Sequence, residues 1–324
     1  VIPVHYFGKE NGPHRLNYRF ARGTRIIHID EDYHYPQFYI GGVFFRRLVL
    51  WEQQIRFNET MSFWEDALFV NQIILMEKRY GVVCGTTYWY RKRKEQNSLV
   101  DLSWSSKERY LSLLENGYEQ LINISLQMYR QVIKYVQFLI VYHLKLFLVP
   151  TNSEKLQKVL NADEKDQFIT KIKEILHFID DENIIRQNMQ YLHKIFLLRL
   201  KYNKENIFLP ASPTIEPDSS IVITKKKLAR SKLILEGYFY CENYALKPND
   251  FIFVKGLSGV ILPEASSTEN RIWGIEVSGF KSPLFQVAIP IWWLNFRFYL
   301  KSGNGTIPLR EFRLLEAIWK KLTA

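Results

Sequence analysis

Residues 207–220 divide the chain into two kinds of pattern. The run Leu209-Pro210-Ala211-Ser212-Pro213-Thr214-Ile215-Glu216-Pro217-Asp218-Ser219-Ser220 concentrates proline and serine, the composition of a linker or a domain-entry loop. Upstream, apolar residues recur at helical spacing over long windows. Downstream they fall in short alternating runs separated by turn residues. A chain that changes period at one point is expected to build separate helical and sheet cores on either side of it.

The downstream runs at 221–223, 232–240, 250–254, 258–262, 273–277, 284–289, 292–299 and 306–309 predict short strands and hence a β-sandwich over 207–324. Phe280, Trp292, Trp293, Phe296, Phe298 and Tyr299 supply its core and rim, or an aromatic face that stacks on sugar rings. Residues 107–202 read as helical throughout: Leu111, Leu114, Tyr118, Leu121 and Ile122 start the pattern, which resumes over 132–148, 168–179 and 184–200. Breaks fall at Pro150-Thr151-Asn152-Ser153 and at Asn161-Ala162-Asp163, and Asp180 or Asp181 can cap the last helix. This predicts a helical connector over 106–206, in which His143, His177 and His193 are ordinary helix histidines with no acidic partner at ligand spacing. The longest apolar run, 135–149, is interrupted by Gln137, His143 and Lys145 and is too short to span a bilayer.

A length of 324 residues suits two or three domains, and a hydrophobic share of 47% is ample for packed cores. The 44 basic residues exceed the 33 acidic ones, for a net charge of +11. Such an excess favours polyanionic neighbours: a phosphate-bearing substrate, an anionic membrane face or nucleic acid. Nucleic acid is the weakest of these, since no RNA-binding fingerprint or zinc spacing is present. Cys84 and Cys241 are two cysteines far apart, which points to a reduced, cytoplasmic compartment rather than a disulfide framework.

Within the first hundred residues, 57–75 (FNETMSFWEDALFVNQIIL) places two adjacent carboxylates, Glu65 and Asp66, between Phe63-Trp64 and Leu68-Phe69. Apolar positions at Trp64, Ala67, Leu68, Val70, Ile73, Ile74 and Leu75 predict a helix, with Ser62 as N-cap and Glu65 as its box partner. In the first turn the dipole and free amides favour an ionised Asp66, unless a pocket dries it out. Ahead of this helix, 39–45 is an apolar and aromatic run that predicts a buried strand. Within it Gly41-Gly42 either lets a sugar ring approach the backbone or makes a turn with no ligand. Arg46 and Arg47 can pair with Glu65 or with phosphate. Residues 81–90 predict a further strand, followed by a basic run, Arg91-Lys92-Arg93-Lys94, that is either a solvated surface or a loop able to neutralise a bound diphosphate. Asp30-Glu31-Asp32 reads as an acidic turn after a strand at 25–29 rather than as a metal site.

The order of Gln37-Phe38-Tyr39-Ile40-Gly41-Gly42-Val43-Phe44-Phe45-Arg46-Arg47, then the Glu65-Asp66 helix, then Tyr88-Trp89-Tyr90-Arg91-Lys92-Arg93 before Asn97-Ser98, resembles the acceptor half of an inverting GT-A glycosyltransferase. The resemblance is closest to enzymes of Gram-positive wall teichoic acid and capsular polysaccharide assembly, and covers about residues 1–105. It implies a multidomain α/β + α + β chain: a truncated GT-A acceptor half at 1–105, the helical connector and the C-terminal β-sandwich. It further implies that Asp66 is the general base with Glu65 beside it, and that Gly41, Gly42, Arg46, Trp64, Arg91, Arg93 and Ser98 bind substrate. The implied partners are a nucleotide-sugar donor and a polysaccharide or teichoic acid acceptor, with Mg²⁺ or Mn²⁺ accompanying the donor.

The metal-binding DxD and the donor half are expected upstream of Val1, so that these residues alone would be inactive. Self-association and attachment to the anionic inner face of the membrane are also expected. A non-catalytic carbohydrate-binding or scaffold module, with a degenerate first hundred residues, is the alternative.

Overall fold

The computed structural model describes residues 1–93, 99–210, 215–265, 270–303 and 305–313. The chain divides into two compact units, Val1–Gln187 and Asn188–Ala324.

In the first unit a three-stranded sheet carries Val4–Gly8 at its centre, antiparallel to Gly12–Pro13 and parallel to Tyr88–Lys92. A second pair joins Arg25–His28 to Arg79–Val82 in antiparallel register. The carboxylate-bearing segment forms the helix Glu65–Glu77, whose Ala67, Leu68, Phe69, Val70, Asn71, Ile73, Ile74 and Leu75 are all buried. A helix apolar on nearly every side must be covered on every side, and the helices Gln120–Tyr129 and Lys134–Leu148 supply part of that cover. The Tyr129 hydroxyl donates to the Leu75 carbonyl. The Asn71 amide donates to the Gln37 and Ala67 carbonyls at 2.8 and 2.7 Å, while its Oδ1 accepts from the Tyr135 hydroxyl at 2.7 Å. The division into units therefore does not follow the three expected segments. Nothing separates the chain near residue 105, because the Glu65–Glu77 helix cannot bury its surface without the helices that follow it.

Those helices continue as Pro150–Val159, Ala162–His177 and Asp181–Ile185. Asn161 and Glu164 form a capping box at the second of these, where the sequence shows its break. Among the described residues no helix is long and apolar enough to cross a membrane.

Three local expectations are corrected. Residues 39–45 do not form a strand. Val43 N–H donates to the Ile40 carbonyl at 3.0 Å, and Gly42 has φ of +73°, which a type II turn requires at its third position. The capping box at Ser62 does not form either; the Ser62 hydroxyl donates to Glu108, and Trp64 is the N-cap. Finally, the apolar pattern over 184–200 is not one helix. It breaks after Ile185 and resumes as Tyr191–Tyr202, which belongs to the second unit.

The second unit contains two four-stranded sheets. One orders Glu264–Ala265, Leu284–Pro290, Lys232–Phe239 and Ile221–Ala229; the other orders Gly305–Arg313, Asn295–Ser302, Phe251–Gly256 and Gly259–Ile261. Every pairing is antiparallel. Alternate residues of both sheets, among them Leu235, Val254, Phe285, Val287, Ile289, Phe296, Phe298 and Leu300, meet in one core. Trp293 is buried in it, but its neighbour Trp292 is exposed.

Candidate active site

The helix carrying the two carboxylates starts from a strained residue. Trp64 sits at φ of +73°, in the left-handed region, which a bulky side chain enters only when its surroundings enforce it. Those surroundings are aromatic: the indole lies 5.3 Å from the Tyr118 ring, 5.5 Å from His143 and 6.3 Å from Phe38. Gly117 leaves room for it, since a Cβ there would stand 2.9 Å from Trp64 Cε3. Next to it Phe63 is fixed by the buried Arg109, whose guanidinium lies 4.1 Å from the Phe63 ring and 3.4 Å from that of Trp104. Burial holds the Arg109 pKa down at about 10. The His143 ring nitrogen Nδ1 lies 2.6 Å from the Tyr118 hydroxyl, and burial keeps the imidazole neutral. Trp64 is expected from the sequence to touch substrate. Walled in at 4% exposure, it instead positions the turn that follows.

That turn presents Asp66. The carboxylate is partly buried, and its Oδ1 accepts the Ala67 N–H at 2.8 Å; the Ile40 N–H is a second donor to it. Burial pushes its pKa up to about 6, the adjacent Glu65 adds to the rise, and the backbone donors oppose it. Burial thus outweighs the helix N-terminus. At neutral pH the group is ionised, yet close enough to its pKa to take a proton.

Ile40 begins the glycine turn, so Asp66 and Gly41-Gly42 are adjacent through its amide. The open faces of the glycines are occupied: a Cβ on Gly41 would lie 2.9 Å from Tyr88 Cε1, and one on Gly42 3.0 Å from both Ile2 Cγ1 and Tyr88 Cβ. The missing side chains thus leave room for Tyr88 of the Tyr88–Lys92 strand on that side of the pair. Arg91 lies within that strand and Arg93 just past its end, both exposed. The expected basic loop thus begins later than residue 91, because the strand is paired with Val4–Gly8 as far as Lys92. Arg46 lines a groove of about 340 Å³ with Phe45, Val49, Leu50, Val70 and Ile73. Among the described residues no ion pair joins Glu65 to Arg46 or Arg47. Ser98 lies outside the described residues.

The structure also gathers a cationic and aromatic lining, drawn in part from the stretch rich in aromatic and basic residues at 1–33. Arg19 is buried beneath it, donating to the Pro36 carbonyl at 2.8 Å and to the Tyr39 hydroxyl at 2.5 Å. His14 packs 4.8 Å from Tyr39 and 5.5 Å from Tyr6, and burial together with Arg19, Lys92 and Arg15 holds its pKa down at about 4. The Lys92 ammonium lies 4.9 Å from the Tyr6 ring, and that of Lys145 3.9 Å from Tyr142, which stacks on Phe38. Because Tyr39 and Phe38 directly precede Ile40, this lining adjoins the Asp66 turn.

No group of three His, Cys, Asp or Glu residues able to hold a metal occurs among the described residues. Asp32 of the acidic turn is instead bound by Arg25 at 3.0 Å.

No protein-family model matches the chain. It is 40% identical to the minor teichoic acid biosynthesis protein GgaA of Bacillus subtilis, over 98% of this chain and 72% of that protein. It is 28% identical to the minor teichoic acid biosynthesis protein GgaB of the same organism, over 97% of this chain but 31% of GgaB. Among solved structures it is similar to residues 217–571 of S. aureus TarS, at 9% identity and a TM-score of 0.29, over 60% of this chain and 64% of that one.

Proposed function

We propose, since this chain belongs to the family of the minor teichoic acid biosynthesis protein GgaA, that its first unit is the acceptor side of an inverting, GT-A-type glycosyltransferase acting on a cell-wall polymer. The observation that carries this reading is Asp66. It is a partly buried carboxylate with a pKa of about 6, presented by a strained helix start beside a cationic and aromatic lining.

In this reading the ionised Asp66 takes the proton of an acceptor hydroxyl as the oxygen attacks the anomeric carbon of a nucleotide-sugar. The bond from that carbon to the diphosphate breaks on the opposite face, the diphosphate leaves with its electron pair, and Asp66 returns its proton to solvent. Arg91 in the Tyr88–Lys92 strand and Arg93 just past its end, both exposed, offset the charge that develops on the leaving group. Glu65 adds to the rise in Asp66 pKa that burial sets, and is assigned no proton of its own. Arg15, Lys92 and Lys145 lie where a phosphate-bearing acceptor passes, with Tyr6 and Tyr142 as stacking surfaces. The divalent metal that would accompany the nucleotide-sugar is assigned no step among these residues.

The test is transfer by the full-length protein from a panel of nucleotide-sugars to purified teichoic acid, with the product's anomeric configuration read by NMR. Inversion relative to the donor is expected. Retention would remove the direct displacement, and absence of transfer with every donor would favour a binding or scaffold role.

A further inference from the structure

Three turns of the second unit come together at one end of its paired sheets. The first, residues 229–232, joins Ile221–Ala229 to Lys232–Phe239; the second, 256–259, joins Phe251–Gly256 to Gly259–Ile261; the third, 290–295, joins Leu284–Pro290 to Asn295–Ser302. Ile291 N–H donates to the Ser231 carbonyl at 3.0 Å, tying the third turn to the first. Trp293 Nε1 donates to Ser258 Oγ at 2.5 Å, tying the third to the second. Gly256 lies so close beneath the Trp293 ring that a Cβ there would stand 2.1 Å from Cε3. The end is thus one built surface rather than three independent loops.

Alongside ordinary turn residues such as Gly256, Ser258 and Gly259, this end exposes large apolar side chains. Leu257 is 92% exposed, Trp292 59%, Leu294 47% and Ile291 42%. Arg230, Lys232 and Lys255 flank them, all exposed. The three turns contain no aspartate or glutamate. Trp293, the one large side chain of the third turn that the core takes in, holds its neighbours outward.

We propose that this end docks on an anionic lipid surface, with Leu257, Ile291, Trp292 and Leu294 entering the interfacial zone and Arg230, Lys232 and Lys255 meeting lipid phosphates. Apolar tips, a tryptophan at their margin and a cationic collar without acids are what an interfacial anchor needs. Charge complementarity selects lipid over a second copy of this end, because two such collars facing each other repel. The inference stands independently of the transfer reading.

The test is co-sedimentation of the full-length protein with vesicles of phosphatidylcholine alone or with 30% phosphatidylglycerol, beside the double variant L257S/W292S and the charge variant R230E/K232E. These side chains are exposed, so the variants are expected to keep the wild-type Tm, which is checked first; a variant with a lowered Tm is replaced by the single change L257S. Wild-type protein is expected to bind the anionic vesicles, less so at high salt, and each variant at least about tenfold more weakly. Equal binding by wild type and both variants overturns the proposal. So does a wild type that self-associates through this end, and loses that in L257S/W292S, without sedimenting with either vesicle.

Discussion

Asp66→Asn in the full-length protein is expected to lower the rate of sugar transfer by about 10²–10⁴-fold, the usual contribution of a positioned base, while donor binding stays within about twofold. The substitution keeps the volume of the side chain and leaves an oxygen to accept the Ala67 N–H, so the geometry of the turn survives. It also has an effect on stability of opposite sign. The folded pKa of Asp66 is raised from 3.8 to about 6. A carboxyl so shifted contributes stability that is fully present below the unfolded pKa and lost as pH rises through the folded one. Above about pH 6 the wild type holds an ionised group in a partly dry site, and the asparagine variant does not. Urea unfolding should therefore find the variant more stable by about 1–3 kcal/mol at pH 7.5, with the difference vanishing near pH 4. A variant that is slow because it is misfolded would show the reverse, so the two readouts separate loss of chemistry from loss of structure.

Asn71→Ala should cost the first unit about 3–5 kcal/mol of stability in the same assay. Asn71 is 1% exposed and holds three partners at once: the carbonyls of Gln37 and Ala67 and the hydroxyl of Tyr135. Alanine leaves the Gln37 carbonyl and the Tyr135 hydroxyl short of a partner in a dry interior, and adds a small cavity. Tyr135→Phe removes one bond of the three and should cost about 1–2 kcal/mol. The same network links the Gln37 segment to the Glu65–Glu77 helix, so Asn71→Ala is also expected to loosen the Ile40 donor that Asp66 uses.

The carboxylate pair stands out between Phe63-Trp64 and Leu68-Phe69, although a capping box with Ser62 accounts for it equally well in sequence, and the helix that carries it follows from its apolar spacing. Whether its first turn or its burial governs Asp66 is not legible, since the answer depends on Ile40 and on the aromatic wall around Trp64. The run over 39–45 reads as a strand by composition, but its glycines need a positive φ at Gly42 and close contact from Tyr88 and Ile2, which only the folded chain supplies. A lone Asn71 on an apolar helix face gives no hint that Tyr135 answers it. Of the lining, Tyr6, His14, Arg15 and Arg19 fall in the one stretch at 1–33 that is rich in aromatic and basic residues, whereas Lys92, Tyr142 and Lys145 arrive on other elements with no shared period. Alternation over 284–289 and 292–299 does foretell the Phe285, Val287, Phe296 and Phe298 side of the core, because in strands the inward face follows directly from period two.

The most direct measurement is the pH dependence of acceptor-saturated and acceptor-limited transfer by wild-type and Asp66→Asn full-length protein, with donor binding followed in parallel. Wild-type kcat/KM for acceptor should rise with unit slope in log scale up to about pH 6 and then level off. The residual activity of the variant should lack that limb, with donor binding flat in both. An identical ascending limb in the variant, or turnover undiminished by the substitution, would contradict the assignment of Asp66 as the group that deprotonates the acceptor.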